Sequence, residues 1–300
     1  MSRAVPGWAG VAVVVGIAVL FASNHVAARL AFDHGASVVA AVVVRSAATA
    51  LAVLALLRVA GVAAALPAAT RPRAVAIGLL LALQSVCLYS AVARLPVALA
   101  LLTFNTFPIV LAALSWASGG ERPSRRTAVA MPAILAGLVL ALDVPGVLGA
   151  GARALEDPGR FGAGVAFALG ASASFAVALL LTTRWLGAVD GRVRTAWTMA
   201  TVAAATALAG TAAGAFAWPA SPPGWLGLAL LTLFYGAAFT SLFVVLPRLG
   251  AVNYAPALNA EPIASMGLAW AFLGQRVGPL QAAGAVLVVG AIVWMSAGRR

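Results

Sequence analysis

Apolar residues run along this chain in long blocks, interrupted by short clusters rich in Arg, Gly, Pro and Asp. The blocks centre on 8–31, 38–57, 74–93, 96–117, 128–143, 161–183, 196–217, 225–246, 251–273 and 279–297. Each is roughly 16–24 residues long, near the ~20 a helix needs to cross a ~30 Å hydrocarbon core. The pattern predicts an all-α integral membrane protein of ten transmembrane helices. Arg3 ahead of the first block imitates a secretion signal. The run continues to Leu30 without a small-residue cleavage site, so it reads as the first span. The longest interruption, Val144–Arg160, separates 1–143 from 161–300, five spans on each side.

The second half echoes the first. Leu99–Arg122 returns 154 residues later as Asn253–Arg276. Asn105 falls on Asn259, Pro108 on Pro262, Gly120-Glu121-Arg122 on Gly274-Gln275-Arg276, and Arg94 on Arg248. A repeat of such long period in an apolar chain points to a duplicated bundle. Because each copy holds an odd number of spans, the two must lie upside down relative to each other. Inverted repeats are a recurring plan of secondary transporters, since two near-equivalent halves can exchange conformations.

Charge placement orients the bundle. With both termini cytoplasmic, thirteen of the 19 cationic residues fall at inner ends and loops. Four (Arg94, Arg153, Arg160, Arg276) fall outside, and Arg29 and Arg45 lie within spans. That asymmetry favours an N-in, C-in topology. The eight Trp residues sit near span ends, where an indole is most stable at the headgroup level.

Composition agrees: 63% of residues are hydrophobic, 9% are charged, and the mean hydropathy is +1.05. A soluble domain needs more charged surface than this. The net charge of +12 therefore implies no nucleic-acid partner; the surroundings are the lipid bilayer. All nineteen cations are Arg, and without Lys there is no Walker A loop. Cys87 is single, so no internal disulfide forms.

The motifs resemble the drug/metabolite transporter superfamily, and within it the EamA-type ten-helix exporters. Phe21-Ala22-Ser23-Asn24-His25-Val26-Ala27-Ala28-Arg29 resembles that family's opening helix, with Arg29 where Lys is common. Arg45 resembles the Arg often found in its second helix. Pro108 followed by Gly119-Gly120-Glu121-Arg122 resembles its Pro…Leu-Gly-Glu-Arg signature. Glu261-Pro262…Leu273-Gly274-Gln275-Arg276 is the second copy, with Gln275 in place of the usual Glu. The resemblance implies a bacterial inner-membrane exporter, with spans 1–4 and 6–9 around a central cavity and spans 5 and 10 peripheral.

Polar groups inside hydrocarbon are costly, so those near mid-span carry the functional signal. Glu261, about ten residues into span nine, is the only acidic residue deep in a span. It reads either as a proton carrier or as a structural anion held by Arg45 or by the Pro262 break. His25 gates protons or contacts a substrate carboxylate, or else it is a hydrogen-bonded helix contact. Arg29, one turn on, either joins it or snorkels to the interface. Asn105 and Asn259 precede Pro108 and Pro262, whose missing N–H groups free backbone carbonyls. They line a cavity or repair broken helices. Asn24, Gln84, Tyr89, Ser172, Ser174, Tyr235 and Thr240 complete a mildly polar pathway suited to small zwitterions or amphiphilic metabolites.

The leading expectation is export of amino acids or related metabolites by alternating access, as a proton antiporter or a facilitator. A multidrug exporter of amphiphilic cations is the alternative. It is weaker because the small four-helix drug exporters of this superfamily carry a Glu in the first helix and this chain has none. An intramembrane enzyme would need a catalytic set or a metal cluster. With His25 and His34 the only histidines and no His-Glu-x-x-His motif, no catalytic residues, metal or cofactor are expected. A pure channel is a third reading, and saturable counterflow would count against it.

Overall fold

In a bilayer the backbone must satisfy its own hydrogen bonds, and an apolar run does so by coiling into a helix. A computed structural model of the chain describes residues 7–119, 125–141, 157–249, 260–275 and 277–297. Every regular element in it is a helix. They are α1 (Gly7–Asp33), α2 (Val38–Val59), α3 (Arg71–Val92), α4 (Val97–Phe104), α5 (Phe107–Ala117) and α6 (Arg125–Ala141). After the 142–156 interval come α7 (Pro158–Leu186), α8 (Gly191–Ala212), α9 (Pro222–Leu249), α10 (Glu261–Leu273) and α11 (Pro279–Ala297). Six runs among the described residues are long and apolar enough to cross a membrane, the α4–α5 run counting as one.

Two elements differ from the apolar pattern. The fourth block is broken: α4 ends at Phe104, and α5 begins at Phe107, just before Pro108. The seventh block, expected at 196–217, is a helix over 191–212. Asp190 starts it early by accepting a hydrogen bond from the Arg192 amide (2.8 Å). Gly214 stops it with φ of 59°, a conformation open to glycine at no steric cost.

Packing crosses between the halves. α1 lies on α9 and α10, α2 on α8, α3 on α7 and α8, α9 on α2, α4 and α5 on α7, α4 on α10, and α6 on α11. Exchange each run for its counterpart in the other half and the same set of pairs results. Small residues make the contacts close. A methyl group on Gly284 would collide with the Gly137 carbonyl and the Ala141 amide, and one on Gly137 would fall 2.8 Å from the Gly284 carbonyl.

Connections gather at two ends. At one, the Ser37 amide donates to the Ala217 carbonyl (2.9 Å), and the Ser37 hydroxyl accepts from the amides of Ala40 and Ala217 (both 3.1 Å). One hydroxyl thus caps α2 and ties down the α8–α9 loop. Arg160 donates to the Ala93 carbonyl (2.9 Å), and the Val97 amide donates to Gln275 Oε1 (3.1 Å). Gln275 is aimed there by the left-handed Gly274 (φ 63°) that ends α10. Arg29 links the two sets, paired with Asp33 (2.8 Å) and donating to the carbonyls of Val92 and Leu95 (3.2 Å each). At the other end Trp197 donates to the Ala64 carbonyl (2.8 Å) and Arg184 to the Ser118 hydroxyl (2.7 Å).

Candidate functional site

The site is built around two helix starts, those of α5 and α10. In the first half, Asn105 Nδ2 donates to the Leu101 carbonyl (2.7 Å), so this side chain mends its own helix end. Thr106 bonds the Thr103 carbonyl (2.9 Å) and meets Ser172 on α7 (2.9 Å between hydroxyls). In the second half α10 starts at Glu261 with Pro262 next, so the carboxylate occupies the first turn of a helix. A negative charge is favoured there by the unpaired N–H groups and the dipole.

Glu261 meets the other half at once. Its Oε1 lies 3.3 Å from His25 Nε2 on α1, with the two side chains 26% and 6% exposed. The histidine ring stands edge-on to Tyr89 of α3 (centroids 5.8 Å apart). Tyr89 donates its hydroxyl proton to Asn24 Oδ1 at 2.7 Å. Arg45, rising from α2, places its guanidinium carbon 4.7 Å from the Tyr89 ring centre and 3.8 Å from that of Tyr235 on α9. Its Nη2 donates to Ser85 Oγ (2.9 Å), which lies beside Gln84 Oε1 (3.3 Å). Phe21 and Phe239 pack against Tyr235, closing the aromatic side of the cluster.

Asn24, His25, Arg45, Gln84, Tyr89, Tyr235 and Glu261 therefore form one contiguous network drawn from α1, α2, α3, α9 and α10. Ser85, which the sequence reading passed over, belongs to it; its spacing from Tyr89 on α3, one helical turn, was the available signal. Ser172 and Ser174 do not join. The first faces Thr106 and the second bonds the Gly170 carbonyl of its own helix (2.7 Å). The Asn259 residue and the side chains of Thr240 and Pro262 lie outside the described residues. A cavity of about 50 Å³ between α4, α10 and α11, lined in part by Leu99, Met266, Gln275 and Gln281, lies apart from the network. It is far smaller than the ~300 Å³ or more of an ordinary ligand pocket.

The 154-residue spacing carries further than the signature turns. It sets Gly16 on Gly170 and Phe21-Ala22 on Phe175-Ala176. The partners of the network are then apolar: Ala178 for Asn24, Leu179 for His25, Met199 for Arg45, and Phe107 for Glu261. Phe107 packs on Phe104 (5.5 Å) and on Phe175 (5.0 Å, edge-to-face).

A duplicated all-helical bundle with ionisable groups buried between its halves defines a polytopic membrane protein. The EamA-like transporter family matches residues 8–142 and again 162–297, and the chain belongs to it. Among solved structures, one crystal structure aligns over 95% of both chains with a TM-score of 0.61 at 19% identity, a likeness of fold alone. No curated protein matches the sequence.

Proposed function

We propose that this chain is a secondary transporter that exports amino acids or related small metabolites across a bacterial inner membrane. Ten spans in two inverted repeats, 1–143 and 161–300 joined by 144–160, would place both termini in the cytoplasm. The grouping of loops at two ends and the exchange-invariant packing support that arrangement. The observation that carries the function is the His25–Glu261 pair, 3.3 Å apart and reaching between the halves. Alternating access requires the halves to move against each other, so a pair held by both is made or broken in each cycle. A proton on the Nε2···Oε1 line would couple that motion to proton flow, while Glu261→Gln removes the charge and keeps the shape. Arg45 beside Tyr89 and Tyr235 disfavours a cationic cargo, because the guanidinium already covers those ring faces and repels like charge.

The test is counterflow in proteoliposomes loaded with a mixed amino-acid pool, with and without a pH gradient. Saturable exchange that the gradient stimulates, with the stimulation abolished in Glu261→Gln, is the expected result. Exchange indifferent to both leaves a facilitator with a structural Glu261. Absence of exchange for every amino acid overturns the substrate class.

A further inference from the structure

Arg45 is 4% exposed, always charged, and has no carboxylate within salt-bridge distance among the described residues. Of the described acids, Asp33 pairs with Arg29, Asp190 with Arg192, and Asp157 caps α7, while Glu261, in the same network as Arg45, meets His25 instead. A buried cation without an anion is among the costliest arrangements a membrane protein can hold, and the two tyrosine rings and Ser85 offset only part of it. Around it, further buried polar atoms lack hydrogen-bond partners: Arg45 Nε, Asn24 Nδ2, His25 Nδ1 and Ser46 Oγ. Asn24, His25 and Arg45 all touch one side chain, Tyr89. The residues of three of these orphans are thus gathered at Tyr89, and two of the three, Arg45 Nε and Asn24 Nδ2, can only donate.

We propose that Arg45 and Asn24 bind the carboxylate of the transported molecule, so that the cargo itself is the missing counter-ion. A guanidinium fork and an amide N–H match the two coplanar oxygens of a carboxylate better than a single-point anion. The inference rests on the transporter reading and narrows it: a free carboxylate is required, and a cationic or neutral analogue is refused because it leaves the charge and its donors unmet.

Purified protein in detergent would be melted with L-phenylalanine, L-leucine and L-threonine, each beside its carboxamide and its decarboxylated amine. The acids should raise the melting temperature and the other two series should not. Arg45→Met, which installs the residue found at the mirror position 199, should weaken acid binding roughly 10- to 100-fold. It should also melt higher than the parent without ligand, because an uncompensated charge is removed. Arg45→Lys should bind acids with intermediate strength. Carboxamides or amines binding as well as acids, acid affinity kept within about threefold in Arg45→Met, or no stabilisation of the parent by any acid would each overturn the proposal. If Arg45→Met does not fold, unchanged acid affinity in both Arg45→Lys and Asn24→Leu overturns it. Counterflow of amines without acid binding would remove this proposal and leave the transporter reading. Acid binding without counterflow would leave Arg45 and Asn24 as a carboxylate site and overturn the assignment of that carboxylate to a transported molecule.

Discussion

At the start of α10 a carboxylate meets an imidazole from α1; at the mirror position, the start of α5, the Phe107 ring meets Phe104 and Phe175. Both places have the same architecture: a helix start, a proline at its second position, and an apposed first helix of a repeat. Their energetics are opposite. Rings in contact within hydrocarbon lose nothing by burial and gain dispersion, so the aromatic break is cheap and self-sufficient. The polar start of α10 costs desolvation and needs a partner from the other half. Duplication has copied the scaffold here without copying the chemistry. The first start is held within its own surroundings by ring packing, and the second depends on a contact between the halves.

The strongest way to break this comparison is to give the aromatic side the other's charge. Phe107→Glu should destabilise the protein by about 2.5–3.5 kcal/mol, the cost of an unpaired acid at mid-span, read as a fall in the detergent melting temperature. Adding Leu179→His should recover part of that loss if 179 faces 107 as His25 faces Glu261, and a double-mutant cycle measures the recovery. Strict additivity would limit the mirror relation to sequence.

A smaller effect is expected from Thr106→Val, which removes the hydroxyl joining the aromatic break to Ser172. The loss should be about 1 kcal/mol, again by melting, with counterflow unchanged. A matching loss of exchange would mean that the aromatic side also works.

The smallest effect lies outside both regions, at the Asp190 cap of α8. Hydrogen bonding by the Arg192 side chain holds the Asp190 carboxyl below the usual carboxylate range. A depressed carboxyl adds stability above its unfolded value near ~3.9 and loses it as pH falls through the folded value. The advantage of the parent over Asp190→Asn should therefore persist at neutral pH and fade below about pH 4. Both side chains are substantially exposed, so the difference should be slight and diminished further by salt.

Much of the scaffold was legible from the chain. Block length alone located α1, α2 and α3 closely, because a membrane span has one dominant requirement. The proline at 108 marked the interrupted run. The sequence was a poorer guide where a single polar group overrides hydropathy, as at Asp190, whose capping shifts α8 by several residues. Asn105 shows the same limit: its amide could equally face a cavity or its own helix, and local geometry chose Leu101. The meeting of His25 with Glu261 was beyond reading, since nothing in either half encodes which residue the other presents. The position of Arg45 within a span is plain from the sequence, but its lack of a carboxylate partner among the described residues emerges only from the contacts of each described acid.

In a chain so rich in interchangeable aliphatic residues, most positions can wander among Ala, Val, Leu and Ile at little cost. Positions 137 and 284 cannot, because there the backbones of α6 and α11 touch without room for a methyl group. Each admits one residue out of twenty. The freedom of the sequence is thus lost on a pair of helices that gives no described side chain to the polar network, as it is at Gly227, where the backbones of α9 and α1 meet.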